Sequence, residues 1–96
     1  KEYDEKSVIK LMYKGPLKIM DQIIKLLDSD IEIRDMKQSL FDWGNNEKIS
    51  FSLIMQTLRL AIIGQLSGPD LFQICALIGK DVSLKRVQQF KAFCLK

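Results

Sequence analysis

Apolar residues recur along the chain every three or four positions, the spacing of one face of an α-helix. A first helix is expected from about Asp4, a suitable N-cap, to Tyr13, with Val8, Leu11 and Met12 on one face. Gly15-Pro16 stops it, and Leu17, Met20, Ile23, Ile24 and Leu27 repeat as a second amphipathic helix that ends in the turn-forming Asp28-Ser29-Asp30. A third is expected near Ile33 to Trp43, burying Met36, Leu40 and Trp43 and breaking at Gly44-Asn45-Asn46. The fourth begins after Ser50 with the stripe Phe51, Ile54, Met55, Leu58 and Ile62, and Gly64 brings it towards its end. Pro69 suits the first turn of the next helix. Leu71 to Ile78 is apolar on nearly every side apart from Gln73, which predicts a central helix closed by Gly79. A last helix from about Ser83 carries Leu84, Val87, Phe90 and Cys94 inward, with Lys85, Arg86 and Gln89 towards solvent. Val8, Val82, Val87 and Thr57 are the only Val and Thr residues, so strand formers are few. The expected fold is all-α, one compact domain of about six helices over residues 1–96.

Composition narrows what such a domain does. The 96 residues allow one modest core, and 47% hydrophobic with 28% charged residues is ordinary for a globular domain. Histidine is absent, which removes the commonest general base, the Ser-His and Cys-His pairs and the commonest zinc ligand. That argues against an enzyme made of this chain alone. No apolar run approaches the roughly 20 residues needed to cross a bilayer, and Lys1 to Lys6 read as neither signal nor transit peptide. The lack of an initiator Met suggests a piece of a longer chain. Cys75 and Cys94 lack C-x-x-C spacing and read as reduced, Cys75 as a small buried hydrophobe, which fits a cytoplasmic protein. The net charge of +3 is unevenly placed: residues 1–48 carry nine Lys/Arg against ten Asp/Glu, residues 49–96 six against two. A polyanion would therefore meet the second half.

Two motifs fail on inspection. Asp28, Asp30 and Glu32 alternate like a calcium loop, but Ile33 stands where the loop needs glycine and Ser39 where a bidentate carboxylate should close it. Gly79-Lys80 lacks the upstream glycine and following Ser/Thr of a phosphate loop, and reads as a helix stop. No metal site is expected.

The informative stretch is Leu58-Arg59-Leu60-Ala61-Ile62-Ile63-Gly64, then Ser67-Gly68-Pro69-Asp70-Leu71-Phe72, then Ala76-Leu77-Ile78-Gly79-Lys80. Arg59 lies about 80° from the middle of its helix's stripe, so its stem can cover core while its guanidinium stays available. Helix end, tight turn and next helix start would place that planar cation beside main-chain donors and acceptors, the parts of a pocket for an unstacked base. An ordinary helical hairpin uses the same parts.

These three runs resemble the anticodon-binding region of bacterial glutamyl-tRNA synthetases, whose pattern is roughly LR-x-A-L-x-G, SP-x-x-F and L-x-x-L-G-K-E. The opening Glu2-Tyr3-Asp4-Glu5-Lys6 and the basic, apolar helix after it fit as well. The resemblance spans nearly the whole chain, strongest over residues 58–80. It implies a C-terminal all-α module reading the anticodon loop of glutamate tRNA, with Arg59 contacting unstacked bases and Gly68, Pro69 and Leu71 forming the rest of the pocket. Gly68 stands where many members have Ser or Thr, which removes a hydroxyl contact and leaves backbone ones. Lys80, Lys85 and Arg86 are candidate phosphate contacts. The resemblance also implies a parent ligase whose catalytic and preceding helical domains lie elsewhere in the chain and use ATP and Mg. The family's HIGH-type and KMSKS-type signatures are not in this sequence, so this piece is expected to carry no catalytic residue and no cofactor. A rival reading is a helical protein-interaction or helix-turn-helix DNA-binding module built on residues 51–78. Its second helix offers little beyond Gln73 for base edges.

Overall fold

A computed structural model describes residues 3–96; Lys1 and Glu2, the latter part of the opening match, lie outside the described residues. Five helices follow one another: α1 (Glu5–Met12), α2 (Leu17–Leu27), α3 (Ile33–Glu47), α4 (Phe51–Ile62) and α5 (Leu71–Cys94), with no strand among the described residues. The last is broken at Gly79, whose φ of 88° and ψ of 163° lie far outside the helix, so it reads as two helical stretches, 71–78 and 80–94. Helical structure resumes directly after Gly79 rather than at Ser83, because Gly79 alone absorbs the change of direction and Ser83 is buried inside the second stretch.

The core is one cluster, drawn from α1 (Val8, Leu11), α2 (Ile19, Met20, Ile23, Leu27), α3 (Met36, Leu40), most of α4, and α5 (Leu71, Cys75, Val87, Phe90). The central helix is α4, which packs on all four others. Its last turns have lost their solvent side: Thr57, Leu58, Leu60, Ala61 and Ile62 are all 0% exposed, and the Thr57 hydroxyl donates to the Leu53 carbonyl at 2.8 Å. The expectation that 71–78 would be central is corrected. Only Leu71 and Cys75 of that stretch are buried, while Leu77 is 85% exposed, because neighbours pack against one side of it alone.

The third helix also differs from expectation, running through Gly44 to Glu47. A Cβ on Gly44 would stand 2.7 Å from Ile54 Cδ1 and 2.9 Å from the Ile49 carbonyl oxygen, so the glycine is there for close approach of α4, not to stop α3. The stop is at Lys48, left-handed at φ 61°, where the Ile49 N–H donates to the Gly44 carbonyl at 2.8 Å in the manner of a Schellman cap. Ser50 caps α4 as expected, its Oγ accepting from the Leu53 N–H at 3.1 Å.

Candidate functional site

The site is built where α4 hands over to α5. The Ile63 N–H donates to the Arg59 carbonyl at 2.8 Å and the Gly64 N–H to Leu60 at 3.0 Å, closing α4 before buried Gly64, at φ 92°, turns the chain outward. Arg86, on α5, donates from Nη1 to the Ile62 carbonyl at 2.8 Å, placing a cation at the C-terminal end of α4. Six residues, Gln65 to Asp70, are then exposed in succession. Asp70, not Pro69, starts α5: its Oδ1 accepts from the Phe72 N–H at 2.9 Å and the Gln73 N–H at 3.3 Å. Pro69 stands one position before that cap and outside the helix, because the aspartate two residues ahead of Phe72 satisfies the free N–H groups that a proline cannot.

Arg59 bridges the two ends. Its Nη1 donates to the Pro69 carbonyl at 3.1 Å, and a Cβ placed on Gly68 would lie 3.9 Å from that nitrogen and 3.9 Å from Ile63 Cδ1. Gly68 itself has φ of 136°, a conformation that side chains rarely adopt. Structure therefore gathers Arg59, Gly68 and Pro69 into one feature: a half-buried guanidinium held by one carbonyl, with a proline ring and glycine backbone exposed beside it. A guanidinium has five N–H donors, so one hydrogen bond to Pro69 orients the plane without exhausting it. Leu71 is 1% exposed and belongs to the core beneath the turn.

The basic candidates are dispersed. Lys80 Nζ donates to the Ser29 carbonyl. Arg86 turns inward to Ile62, against the expectation that it points to solvent, since the carbonyls at the end of α4 attract a cation. Lys85 is exposed.

The sequence did not single out a hollow of about 660 Å³ lined by Tyr3, Asp4, Ser7, Ile63, Gly64, Gln65, Leu66 and Ser67. The Asp4 N–H donates to the Gly64 carbonyl at 2.7 Å, which ties the start of α1 to the end of α4. No periodicity signals such a contact across sixty residues. Burial raises the Tyr3 hydroxyl and both thiols above their ordinary values; at Cys75 the Ser83 side chain and the Arg86 charge pull partly the other way. Among the described residues no group of His, Cys, Asp or Glu could hold a metal ion, and no helix is long and apolar enough to cross a membrane.

A family described as "Anticodon binding domain" matches residues 1–91. The chain is 33% identical over 89 residues to a glutamate-tRNA ligase of Christiangramia forsetii, covering 91% of this chain and 18% of the relative. It is 38% identical over 92 residues to glutamate-tRNA ligase 2 of a Nitratiruptor species, covering 93% and 20%. A glutamate-tRNA ligase 1 of Bartonella henselae is 30% identical over 88 residues, covering 90% and 18%. The chain thus spans about a fifth of the length of the curated relatives it matches. No solved structure matches.

Proposed function

The chain belongs to the anticodon binding domain family, and from that premise we propose that it binds the anticodon loop of glutamate tRNA, as one unit over residues 1–96 at the C-terminal end of a cytoplasmic glutamate-tRNA ligase. The ATP- and Mg-dependent chemistry would belong to catalytic domains elsewhere in the parent; this piece positions the RNA. The observation that carries the reading is the Arg59 guanidinium fixed at the Pro69 carbonyl beside Gly68.

That arrangement suits an unstacked base. A planar cation can lie on the ring and offer paired N–H groups to its acceptors, while the glycine lets the base approach the backbone. Pro69 gives an apolar edge. Leu71 supports the pocket from below by fixing where α5 starts, and Asp70 holds that start by its two N–H contacts. Lys85 is the best placed of the three basic candidates for a phosphate, because Lys80 and Arg86 already hold carbonyls. A helix-turn-helix reading is less favoured: of the residues its second helix exposes, Gln73 alone has groups for base edges, and Ala76 and Leu77 have none.

Arg59→Lys tests the proposal. Lysine keeps the charge but loses the plane, so affinity for a glutamate anticodon stem-loop should fall by about 1 to 3 kcal/mol, the range of one good base contact, while base-substituted loops lose less. Titration against both loops, with thermal melts to establish folding, checks it. A folded variant that binds and discriminates like the parent would remove Arg59 from base reading.

A further inference from the structure

We infer that the outer face of α1 is a second RNA-contact surface, on which Lys6, Lys10 and Lys14 hold backbone phosphates of the strand flanking the loop and Tyr13 stacks on an unpaired base or ribose. The inference rests on the proposed anticodon reading and extends it to residues to which the resemblance gives no role.

Three observations converge. Val8 and Leu11 take the inner side of α1, so the opposite side presents Lys6, Ile9, Lys10 and Tyr13 at helical spacing. Tyr13 is 89% exposed and Ile9 58%, the former the most exposed large hydrophobic residue among the described residues. A ring with so little of its surface covered contributes almost nothing to the core, whereas beside lysines it is a stacking platform.

Among the described residues the lysines also make no ion pair. The ion pairs among the described residues are Lys18 with Glu47, Arg34 with Glu32 and Lys91 with Asp21, and none involves Lys6, Lys10 or Lys14. Glu5 is the one carboxylate on α1, and at 100° per residue it stands about 140° from Lys10. The face is therefore locally positive even though the first half of the sequence is not, which favours a polyanion over an apolar or basic partner.

Continuity with the reading turn is the third observation. Ser7 lines the hollow together with Gly64, Gln65, Leu66 and Ser67, and Lys10 lies three residues on in the same row of α1. Lys14 follows four residues later in the tightened turn, where its N–H donates to the Leu11 carbonyl at 2.9 Å. From Ser7 to Lys14 the row rises about 10 Å. A strand whose base sits at Arg59 would meet this row on leaving the turn past Ser67.

The test compares the parent protein, the triple variant Lys6→Gln, Lys10→Gln, Lys14→Gln, Tyr13→Ala and Arg59→Lys. Each is titrated at several salt concentrations with the glutamate anticodon stem-loop and a base-substituted loop. The triple variant should bind both loops more weakly by the same factor, with the salt slope reduced by about 0.7 per lost phosphate contact, up to about 2 in all. Tyr13→Ala should weaken both loops about fivefold or more. All four positions are exposed, so melting temperatures should stay at the parent value. An unchanged salt slope in the triple variant overturns the inference. So does weaker binding to anionic phosphatidylserine vesicles with RNA binding intact, which would assign the face to lipid. If the slope falls while Arg59→Lys discriminates normally, the α1 surface stands and the base-reading assignment fails; the reverse result leaves only the turn.

Discussion

Two stretches a few residues apart have opposite surroundings. From Thr57 to Ile62 every residue except Arg59 has no exposed surface, whereas from Gln65 to Asp70 every residue is exposed. The first is surrounded by four helices; the second is secured only at its ends, by Gly64 and the Asp70 cap, and by Arg59 at Pro69. Arg59 is the residue common to both. Its backbone sits in the most enclosed helix of the fold, and its side chain reaches the most open loop. A base reader needs that combination, since a guanidinium on a mobile loop would give up part of each contact in ordering itself. The loop supplies adaptable backbone and the helix supplies position.

The sharpest way to break this contrast is at Leu60. It is 0% exposed although it stands outside the stripe that the sequence spacing assigns to α4. Leu60→Ala should destabilise the protein by about 2 to 5 kcal/mol, as for other buried leucines, and lower Tm by at least about 8 °C. Its effect on RNA should appear only through the unfolded fraction. A Leu60→Ala protein that melts near the parent would mean that α4 has a solvent side after all. Arg59→Lys, next in size, should act in the opposite sense, lowering binding while leaving Tm unchanged.

Gly68→Ala gives a smaller effect that sharpens the loop side. There is room for the methyl, because the nearest atoms lie at 3.9 Å, so any loss comes from holding alanine at φ 136°. About 1 to 2 kcal/mol of stability should go, less than at Leu60, with a loss of RNA affinity if the backbone approach at Gly68 is used. Denaturant melts and stem-loop titration separate the two. Parent-like stability would show that the exposed turn relaxes without cost.

The same contrast explains what was legible in the sequence. Spacing identified α1, α2 and the start of α4, because each has one apolar face and a turn signal at its end. It also identified the Arg59 flank, which follows from helix geometry alone. It misplaced the centre of the fold: Leu71 to Ile78 is more apolar than most helices, yet Leu77 is exposed because nothing among the described residues covers it. Periodicity reveals which faces could be buried, not which ones meet a neighbour. Gly44 was read as a break for the same reason, since close approach to Ile54 is a tertiary fact. Arg86, expected towards solvent, and Lys80, a candidate phosphate contact, instead hold carbonyls 24 and 51 residues away.

The smallest effect concerns pH and again divides interior from surface. Burial raises the Cys75 thiol above its ordinary value of 9.0, and it raises Cys94 and Tyr3 for the same reason. A thiol that ionises later in the folded chain than in the unfolded one keeps its proton in the native state while the unfolded state loses it. The stabilisation is complete below the unfolded value and is lost as pH rises towards the folded one. Stability should therefore decline slightly between about pH 9 and pH 10, a window still below the ordinary value of lysine. Urea melts with reductant present at the two pH values measure it, and Cys75→Ala should flatten the decline. The exposed turn holds no cysteine or tyrosine, so binding that has been corrected for folding should not follow this trend. A stability that is level or rising across the window would mean that solvent reaches the Cys75 thiol, and hence that the region beneath the 71–78 stretch is as open as the turn above it.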